Sequence, residues 1–283
     1  MSAMADSDRM YEGDNVGRPE KARPDRVIVT QRGPVTLVRL SRPSKRNAID
    51  AAMATSLYGV FRAPPEGTRA IVLHGDGSHF CAGADLSVFS GIDAAAGVRL
   101  SRGVHQVFDR VENGVAPVIA VLHGGVIGGG LELAASAHIR IAERSTYYAL
   151  PEGTRGIFVG GGGAVRVPRL IGAARMIDMM LTGRTYSAED GQALGFSQYV
   201  VENGLGFGTA TELAERIAAN ATLTNFAVVQ ALPRIARADP DTGLLMESLM
   251  AALVIGDGAA QKRIADFLQK RAAKVIHRAP TSE

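Results

Sequence analysis

The sequence has few of the features that point to export, a membrane or nucleic acid. Its 283 residues include one cysteine, Cys81, which excludes an intramolecular disulfide framework and is typical of a reducing compartment. No apolar run approaches the roughly 18 to 20 residues needed to span a bilayer, and the polar N-terminus lacks the apolar core of a signal peptide. A net charge of +3 is too small to indicate nucleic-acid binding. We therefore expect a globular cytoplasmic protein with no membrane segment.

The usual motifs for metals, nucleotides and covalent serine chemistry are also missing. The six histidines never fall at H-x-x-x-H spacing or beside a cysteine pair, so a zinc site has no support. The glycine cluster Gly160–Gly163 lacks the third glycine of G-x-G-x-x-G, and no Gly-Lys pair exists for a P-loop. No G-x-S-x-G nucleophile elbow is present. We expect neither a metal ion nor a nicotinamide cofactor.

The pattern of apolar residues predicts a mixed α/β core followed by helices only. Apolar runs bounded by turn residues predict strands, and Asp50 is a plausible N-cap for a helix from Ala51 to about Phe61. The predicted strands are 27–30, 35–40, 69–74, 117–122 and 138–142, a second helix covers 98–111, and helical patterns dominate from Ala173 onward. We expect a disordered tail (1–26), an α/β core (27–204) and a helical C-terminal subdomain (205–283).

The most informative stretch is His123–Glu132, which follows a predicted buried strand and contains five glycines between Gly124 and Gly130. A strand that runs through glycines into a helix leaves backbone N–H groups without internal partners, and these can bind an anion or a developing oxyanion. Ala82–Asp85 follows the strand 69–74 in the same way. The alternative for His123–Glu132 is a tight strand-to-helix crossover in which the glycines serve packing alone.

Two carboxylates stand among small and apolar residues. Glu132 follows the glycine stretch at the start of a helix, and Glu152 follows a proline before the second glycine cluster. Two carboxyl groups near an oxyanion hole can add or remove water, or move a proton, without a cofactor. The alternatives are that Glu132 caps its own helix and that Glu152 is an ordinary loop charge.

Seven segments together resemble one family. They occur in family order and cover about residues 27–274: Arg42–Ala48, Phe80–Leu86, His123–Glu132, Pro151-Glu152, Leu181–Arg184, Ala193–Gly195 and Phe267–Arg271. The chain thereby resembles the crotonase (enoyl-CoA hydratase/isomerase) superfamily. This resemblance implies an α/β fold, a crotonase-like spiral of strand-strand-helix units with a helical C-terminal subdomain.

The resemblance also implies a reaction. The N–H groups of Ala84 and Gly129 match the oxyanion hole for a thioester carbonyl, while Glu132 and Glu152 match the two glutamates of the hydratases. Isomerases of the superfamily typically lack the first glutamate, so the pair favours a lyase that adds water to a 2-enoyl-CoA in fatty acid metabolism. The alternatives are an isomerase, a hydratase-lyase, or a non-catalytic acyl-CoA-binding or RNA-binding paralogue, which has only the basic C-terminal residues to support it.

For the substrate, the resemblance implies contacts along the whole acyl-CoA. Ala48 and Ala82 match the adenine pocket, and Lys45 lies in the loop that meets the phosphates. The remaining predicted contacts with CoA or the acyl group are Ala84, Asp85, Leu86, Gly129, Phe267 and Lys270. Coenzyme A is part of the substrate, so no separate cofactor is implied. The helical tail from Ala259 to Lys274 resembles the segment that, in this family, closes over the CoA site, often across a subunit boundary. This resemblance implies a homotrimer, or a homohexamer built as a dimer of trimers.

The chain departs from the common family pattern just after Glu152. Gly153 and Val159 stand where bulky apolar residues and a proline are usual, so we expect Gly153 to widen the acyl pocket. Arg155 either meets a polar acyl tail or points to solvent, and the second is the commoner case for a lone arginine. His123 replaces the usual asparagine, and we expect it to be structural.

Overall fold

Nearly continuous apolar runs build the inner strands of the central six-stranded sheet. The computed structural model describes residues 26–269 and residue 271. The strands lie in the order β1-β2-β3-β4-β6-β9, with β1 antiparallel to β2 and all other neighbours parallel. They are β1 (Val27–Arg32), β2 (Val35–Leu40), β3 (Ala70–Gly75), β4 (Val118–Leu122), β6 (Ile139–Glu143) and β9 (Tyr199–Val201).

A second sheet of three short strands contains the start of the glycine stretch. It has the order β5-β7-β8, with β5 parallel to β7 and β7 antiparallel to β8. These strands are β5 (Gly125–Ile127), β7 (Tyr147–Ala149) and β8 (Thr185–Ser187). The glycine stretch is therefore part strand and part helix start.

Helices cover both faces of the larger sheet. Those of the first part of the chain are α1 (Ala51–Arg62), α2 (Ala94–Glu112), α3 (Gly129–Ser136), α4 (Gly163–Ile171), α5 (Ala173–Thr182), α6 (Ala188–Leu194) and α7 (Gly206–Ala219). Leu40, Leu73 and Leu122 belong to the core cluster that includes α1, α2 and α3. Leu37, Val72 and Ile119 belong to the cluster on α7. Because neighbouring residues on a strand face opposite sides, a sheet covered on both sides requires nearly continuous apolar strands.

Several predicted elements are confirmed closely. β2 has the predicted bounds, and α1 begins at Ala51 with the Asp50 carboxylate accepting a hydrogen bond from the Met53 N–H at 2.9 Å. α2 begins at Ala94, four residues before the predicted start at 98, because the Asp93 carboxylate caps it by accepting from Ala96 N–H at 2.7 Å. Capping residues thus place these helix starts.

The prediction of helices only after Ala173 is wrong. β8 (Thr185–Ser187) and β9 (Tyr199–Val201) lie in that region, and β7 was also not predicted. Each has three residues, which is too short for an alternating pattern to be distinguished from loop. They exist because β7 offers a pairing edge to β8, and β6 offers one to β9.

The chain divides into two compact units, of which the second begins at Ala219. In the second unit, α8 (Thr222–Phe226) runs through a π-helical segment (Ala227–Ala231) into α9 (Leu232–Ile235), and α10 (Pro240–Ile255) and α11 (Gly258–Leu268) follow. The division comes fourteen residues after the predicted boundary at 204/205, and α7 packs on the sheet of the first unit. The predicted domain limits stay predictions, and the predicted tail lies outside the described residues except for Arg26.

No single helix among residues 26–269 is long and apolar enough to cross a membrane. α10 and α11 pass the test of length and composition only when taken together, and they are bent by 74° at the break between them.

Candidate active site

The backbone N–H groups of Ala84 and Gly129 lie close together, and both residues line the same cavity. Ile49 donates its N–H to Gly83 O at 2.8 Å and accepts from Asp85 N–H at 2.9 Å. This parallel bridge turns the Ala84 N–H away from Ile49. A β-carbon built on Gly129 would lie 3.2 Å from the Ala84 nitrogen, so the two groups are neighbours. Within the described part of the chain, neither N–H donates a hydrogen bond.

The loop that carries Ala84 is held between two other segments. On one side, Cys81 N–H donates to Gly125 O at 3.2 Å and Ile127 N–H donates to Cys81 O at 3.0 Å. On the other side, Ala82 N–H donates to Arg46 O at 2.9 Å. The donor at Ala84 is therefore fixed by β5 and by the loop before α1, and preorganised donors of this kind are what stabilises a developing oxyanion.

Glu132 lies in the first turn of α3, and its carboxylate is held by a glycine loop. Its Oε1 accepts hydrogen bonds from Gly161 N–H at 2.8 Å and from Gly163 N–H at 2.7 Å. A β-carbon on Gly163 would come within 2.8 Å of Glu132 Cγ, so only glycine permits this approach. Burial raises the pKa of Glu132, while the N–H groups of the loop act in the opposite direction.

Glu152 lies just after β7 and packs on the turn that leads to Gly129. A β-carbon on Gly128, which has φ of +51°, would lie 2.5 Å from Glu152 Oε1. The Oε2 atom is buried and accepts no hydrogen bond within residues 26–269. Burial, and then the negative charge of Glu132, raise the pKa of Glu152 to about 7, while Arg155 lowers it. A carboxyl group with this pKa can carry a proton at neutral pH and release it.

The two donors and Glu132 line a cavity of about 360 Å³. Its wall combines α1, α2, the first turn of α3 and the loops before α2 and α4, and most of its side chains are apolar. The main contributors are Ile49, Ala54, Val88, Phe89, Leu100, Val104, Phe108, Phe158 and Val159. The site therefore combines hydrogen-bond donors and a carboxylate with a largely apolar wall, which suits a polar reacting group that carries an apolar chain.

A family model described as enoyl-CoA hydratase/isomerase matches residues 30–276. The chain belongs to this family. The predicted family is thus confirmed, and so is the α/β crotonase-like fold class, since the matching solved structures are enoyl-CoA hydratases of that fold.

Individual relatives cover most of the chain. The crystal structure of a Rhodopseudomonas palustris CGA009 protein that carries a provisional enoyl-CoA hydratase name is 55% identical, with a TM-score of 0.85, over 90% of this chain and 98% of that one. The 2,3-dehydroadipyl-CoA hydratase of Escherichia coli K12 is 31% identical over 247 residues, which are 87% of this chain and 96% of the relative. A short-chain-enoyl-CoA hydratase of Clostridium acetobutylicum is 31% identical over 248 residues, 87% of this chain and 95% of the relative.

The residues predicted to bind coenzyme A lie in different settings. Lys45 ends a 3₁₀ turn (Pro43–Lys45) and is exposed, and Ala48 and Ala82 are half-buried on adjoining loops. The Asp85 carboxylate pairs with Arg42 at 2.8 Å and caps the turn Leu86–Phe89, so its first role in this structure is to hold the loop. Leu86 is exposed and does not line the cavity.

The structure does not test the two predicted contacts near the C-terminus. Phe267 is an exposed residue of α11 in the second unit. Lys270 lies outside the described residues. Both stay predictions.

Sequence reasoning missed Asn47, which organises the loop before α1. Its buried side chain accepts from Arg42 N–H at 2.9 Å and donates to carbonyl groups of the loop 76–80, among them His79 O at 2.9 Å. It also missed the three phenylalanines of the cavity wall, Phe89, Phe108 and Phe158. The signal for Asn47 is a polar residue in an otherwise basic loop, whereas nothing local marks the wall, because its residues come from separate elements.

The expectation that Gly153 widens the acyl pocket is wrong. A β-carbon there would lie 2.1 Å from Met180 O, so the glycine serves close packing against α5 and does not line the cavity. Arg155 is exposed, as expected for the commoner alternative. His123 places its Nε2 atom 3.1 Å from Gly77 O, which is the structural role that was expected.

Proposed function

We propose that the protein is an enoyl-CoA hydratase that adds water reversibly across the 2,3 double bond of a 2-enoyl-CoA thioester. The observation that carries this proposal is the pair of buried glutamates, Glu132 and Glu152, beside two free N–H donors. The hydratase names of relatives that cover most of the chain support the same activity.

The thioester carbonyl oxygen would accept hydrogen bonds from Ala84 and Gly129. Attack of water at the β-carbon pushes the electrons of the double bond onto that oxygen and gives an enolate. Each donor aimed at such an oxyanion contributes roughly 3 to 4 kcal/mol to transition-state stabilisation, as judged from mutational losses. The N-terminus of α3, where Gly129 lies, adds a favourable electrostatic field.

The two glutamates would divide the proton transfers. Glu132, oriented by Gly161 and Gly163, would remove a proton from the attacking water. Glu152, with a pKa of about 7, would supply the proton that the α-carbon of the enolate takes up. After these two transfers Glu132 is protonated and Glu152 is ionised. Proton exchange with solvent then returns Glu132 to its ionised form and Glu152 to its protonated form. Dehydration of a 3-hydroxyacyl-CoA is the same sequence in reverse.

The coenzyme A part of the substrate would lie along the loops before α1 and α2. Lys45 is exposed beside this surface and would meet the phosphates, while Ala48 and Ala82 would contact the adenine. Asp85, Leu86, Phe267 and Lys270 complete the proposed contacts. The chemistry needs neither a metal nor a second cofactor, because the thioester itself supplies the electrophile.

A product assay with purified protein tests this function. A hydratase consumes the ultraviolet absorbance of a conjugated 2-enoyl-CoA and yields a product heavier by one water. An isomerase would create that absorbance from a 3-enoyl-CoA, and a hydratase-lyase would release an aldehyde. Conversion of 3-enoyl-CoA without any hydration of 2-enoyl-CoA would contradict the proposal.

We also propose that the chain self-associates into a trimer or a dimer of trimers in the cytoplasm. The second unit supports self-association because α10 and α11 expose large apolar side chains, Leu244, Leu245, Leu249, Leu253 and Phe267 among them. Patches of this kind on a soluble protein mark interaction surfaces. Light scattering should give three or six times the chain mass of 29.7 kDa, and a monomer at micromolar concentration would contradict this.

A further inference from the structure

A second cavity lies beside the apolar one. It has a volume of about 570 Å³ and shares three residues with the first: Ser101, Phe158 and Val159. The side chains of α2 divide between the two cavities. Leu100, Val104 and Phe108 line the first, whereas Arg102, His105 and Gln106 line the second. The apolar chamber therefore ends at a wall that has a polar chamber behind it.

Movable side chains make up much of this wall. Ser101 Oγ donates to Gly160 O at 2.8 Å and lies 3.4 Å from His105 Nε2. Phe158 is 70% exposed, so its ring can move without disturbing the core. Ser101 also lies near the reacting end of the site, because the residue after Gly160, Gly161, donates its N–H to Glu132. Since Ser101 and Phe158 line both cavities, an acyl chain that passes between them enters the second cavity, which Arg102 and His105 line.

The charges of the second cavity favour an anion near the wall. Glu112 pairs with Arg166 at 2.7 Å, and the Asp109 carboxylate accepts from Asn113. Within the described part of the chain, Arg102 has no ion pair. Helical rise places Arg102 and His105 within about 6 Å of Ser101 along the axis of α2, whereas Asp109 and Glu112 are about 12 and 16 Å away. The positive end of the cavity is therefore the end next to the wall.

His105 adds a neutral hydrogen-bonding group at this point. Burial and the positive charges of Arg102 and Arg166 lower the pKa of its ring. A neutral imidazole has one N–H group and can donate one hydrogen bond to an anion. Arg155, the arginine that the sequence offered for a polar acyl tail, lines neither cavity.

We propose that the acyl group of the preferred substrate ends in a carboxylate, which passes Ser101 and binds Arg102 and His105. A guanidinium matches a carboxylate with two parallel N–H donors, and this gives both affinity and selection against an uncharged end. The inference rests on the proposed function, because that function places the thioester at Ala84 and Gly129. It adds the class of substrate, ω-carboxy-2-enoyl-CoA thioesters.

Matched pairs of substrates test this proposal. Each pair has one chain length and differs only in an ω-carboxylate, and the readout is the ratio of kcat/KM within the pair. For at least one chain length, the wild type should favour the carboxylate member by about 10- to 100-fold, the range expected for a charge-assisted hydrogen bond. The R102Q variant should abolish this preference. The control R99Q, an exposed arginine of the same helix that lines neither cavity, should retain it.

Calorimetry with saturated ω-carboxyacyl-CoA separates this inference from the proposed function. If no thioester is hydrated, the proposed function fails, and binding still decides the inference. Weaker binding to R102Q than to wild type and R99Q would support it. Equal binding to all three proteins would overturn it, as would equal kcat/KM within every substrate pair or a preference that survives in R102Q.

Discussion

At the scale of single residues, the two buried glutamates of the site have different environments. Glu132 accepts two backbone N–H bonds, which favour its ionised form, while Glu152 has a buried oxygen that accepts none within the described residues. The negative charge of Glu132 also raises the pKa of Glu152, which favours a single proton on the pair. One proton on the pair, held by Glu152, is the state that water addition requires.

The first prediction concerns pH. Because Glu152 must be protonated and its pKa is raised to about 7, kcat/KM for hydration should decrease as the pH rises through about 7. Neither thioester gains or loses a proton on hydration, so the profile for dehydration must have the same shape. Steady-state rates from pH 5 to 9 in both directions provide the measurement. A flat profile up to pH 9 would be inconsistent with Glu152 as the acid.

The raised pKa of Glu152 also predicts that the protein loses stability as the pH rises. The folded-state pKa of Glu152 is raised, so its contribution is fully present below the ordinary pKa of 4.5 and is lost as the pH rises through about 7. At about 1.4 kcal/mol per pKa unit, the loss is on the order of 3 kcal/mol. E152Q should therefore gain stability over wild type between pH 5 and pH 8 in thermal or urea unfolding. E212Q, which alters an exposed glutamate, is the control and should show no such change.

At the scale of elements, one ion pair joins the helices that frame the site. Arg166 of α4 pairs with Glu112 at the end of α2, and it also donates to Gly161 O at 3.1 Å. Gly161 in turn holds Glu132. Arg166 thus fixes the glycine loop and orients Glu132 without touching the reacting atoms, so it is a positioning residue.

We expect R166Q to lower kcat by about 10- to 100-fold with a smaller effect on KM, since a small displacement of a catalytic group is costly. Hydration also requires Glu132 to be ionised, so the rate should fall at low pH, on the acidic limb of the pH profile. The charge of Arg166 lowers the pKa of Glu132, so this limb should move to higher pH in R166Q. R166K should restore that limb in part, and R169Q, an exposed arginine of the same helix, should resemble wild type. A loss of activity with an unmoved acidic limb would indicate a purely structural role.

The elements that could be predicted from the sequence are those with long patterns or strong caps. β2 and α1 follow from an apolar run and from Asp50. The short strands β7, β8 and β9 could not be predicted, because their pairing partners rather than their own residues determine them. Gly153 illustrates the same limit: its function depends on Met180 O, which is 27 positions later in the sequence and close only in the folded chain.

At the scale of the whole molecule, the sequence reveals the reactive end of the site better than its pocket. Ala84, Gly129, Glu132 and Glu152 lie in segments with a recognisable order of residues, and the fold brings these segments together. The pocket wall comes from α1, α2 and the loops before α2 and α4, and most of its members are ordinary apolar residues. Substrate preference therefore depends on cavities that form only in the folded chain.

The most direct test of the two-carboxylate mechanism replaces each glutamate by glutamine and measures hydration of the best 2-enoyl-CoA. E132Q and E152Q should each lose at least about 100-fold in kcat, which is the contribution typical of general acid–base catalysis. The double variant should lose far less than the product of the two effects, because the residues act as a unit. Both variants should still bind a saturated acyl-CoA. Full turnover in either single variant would contradict the account.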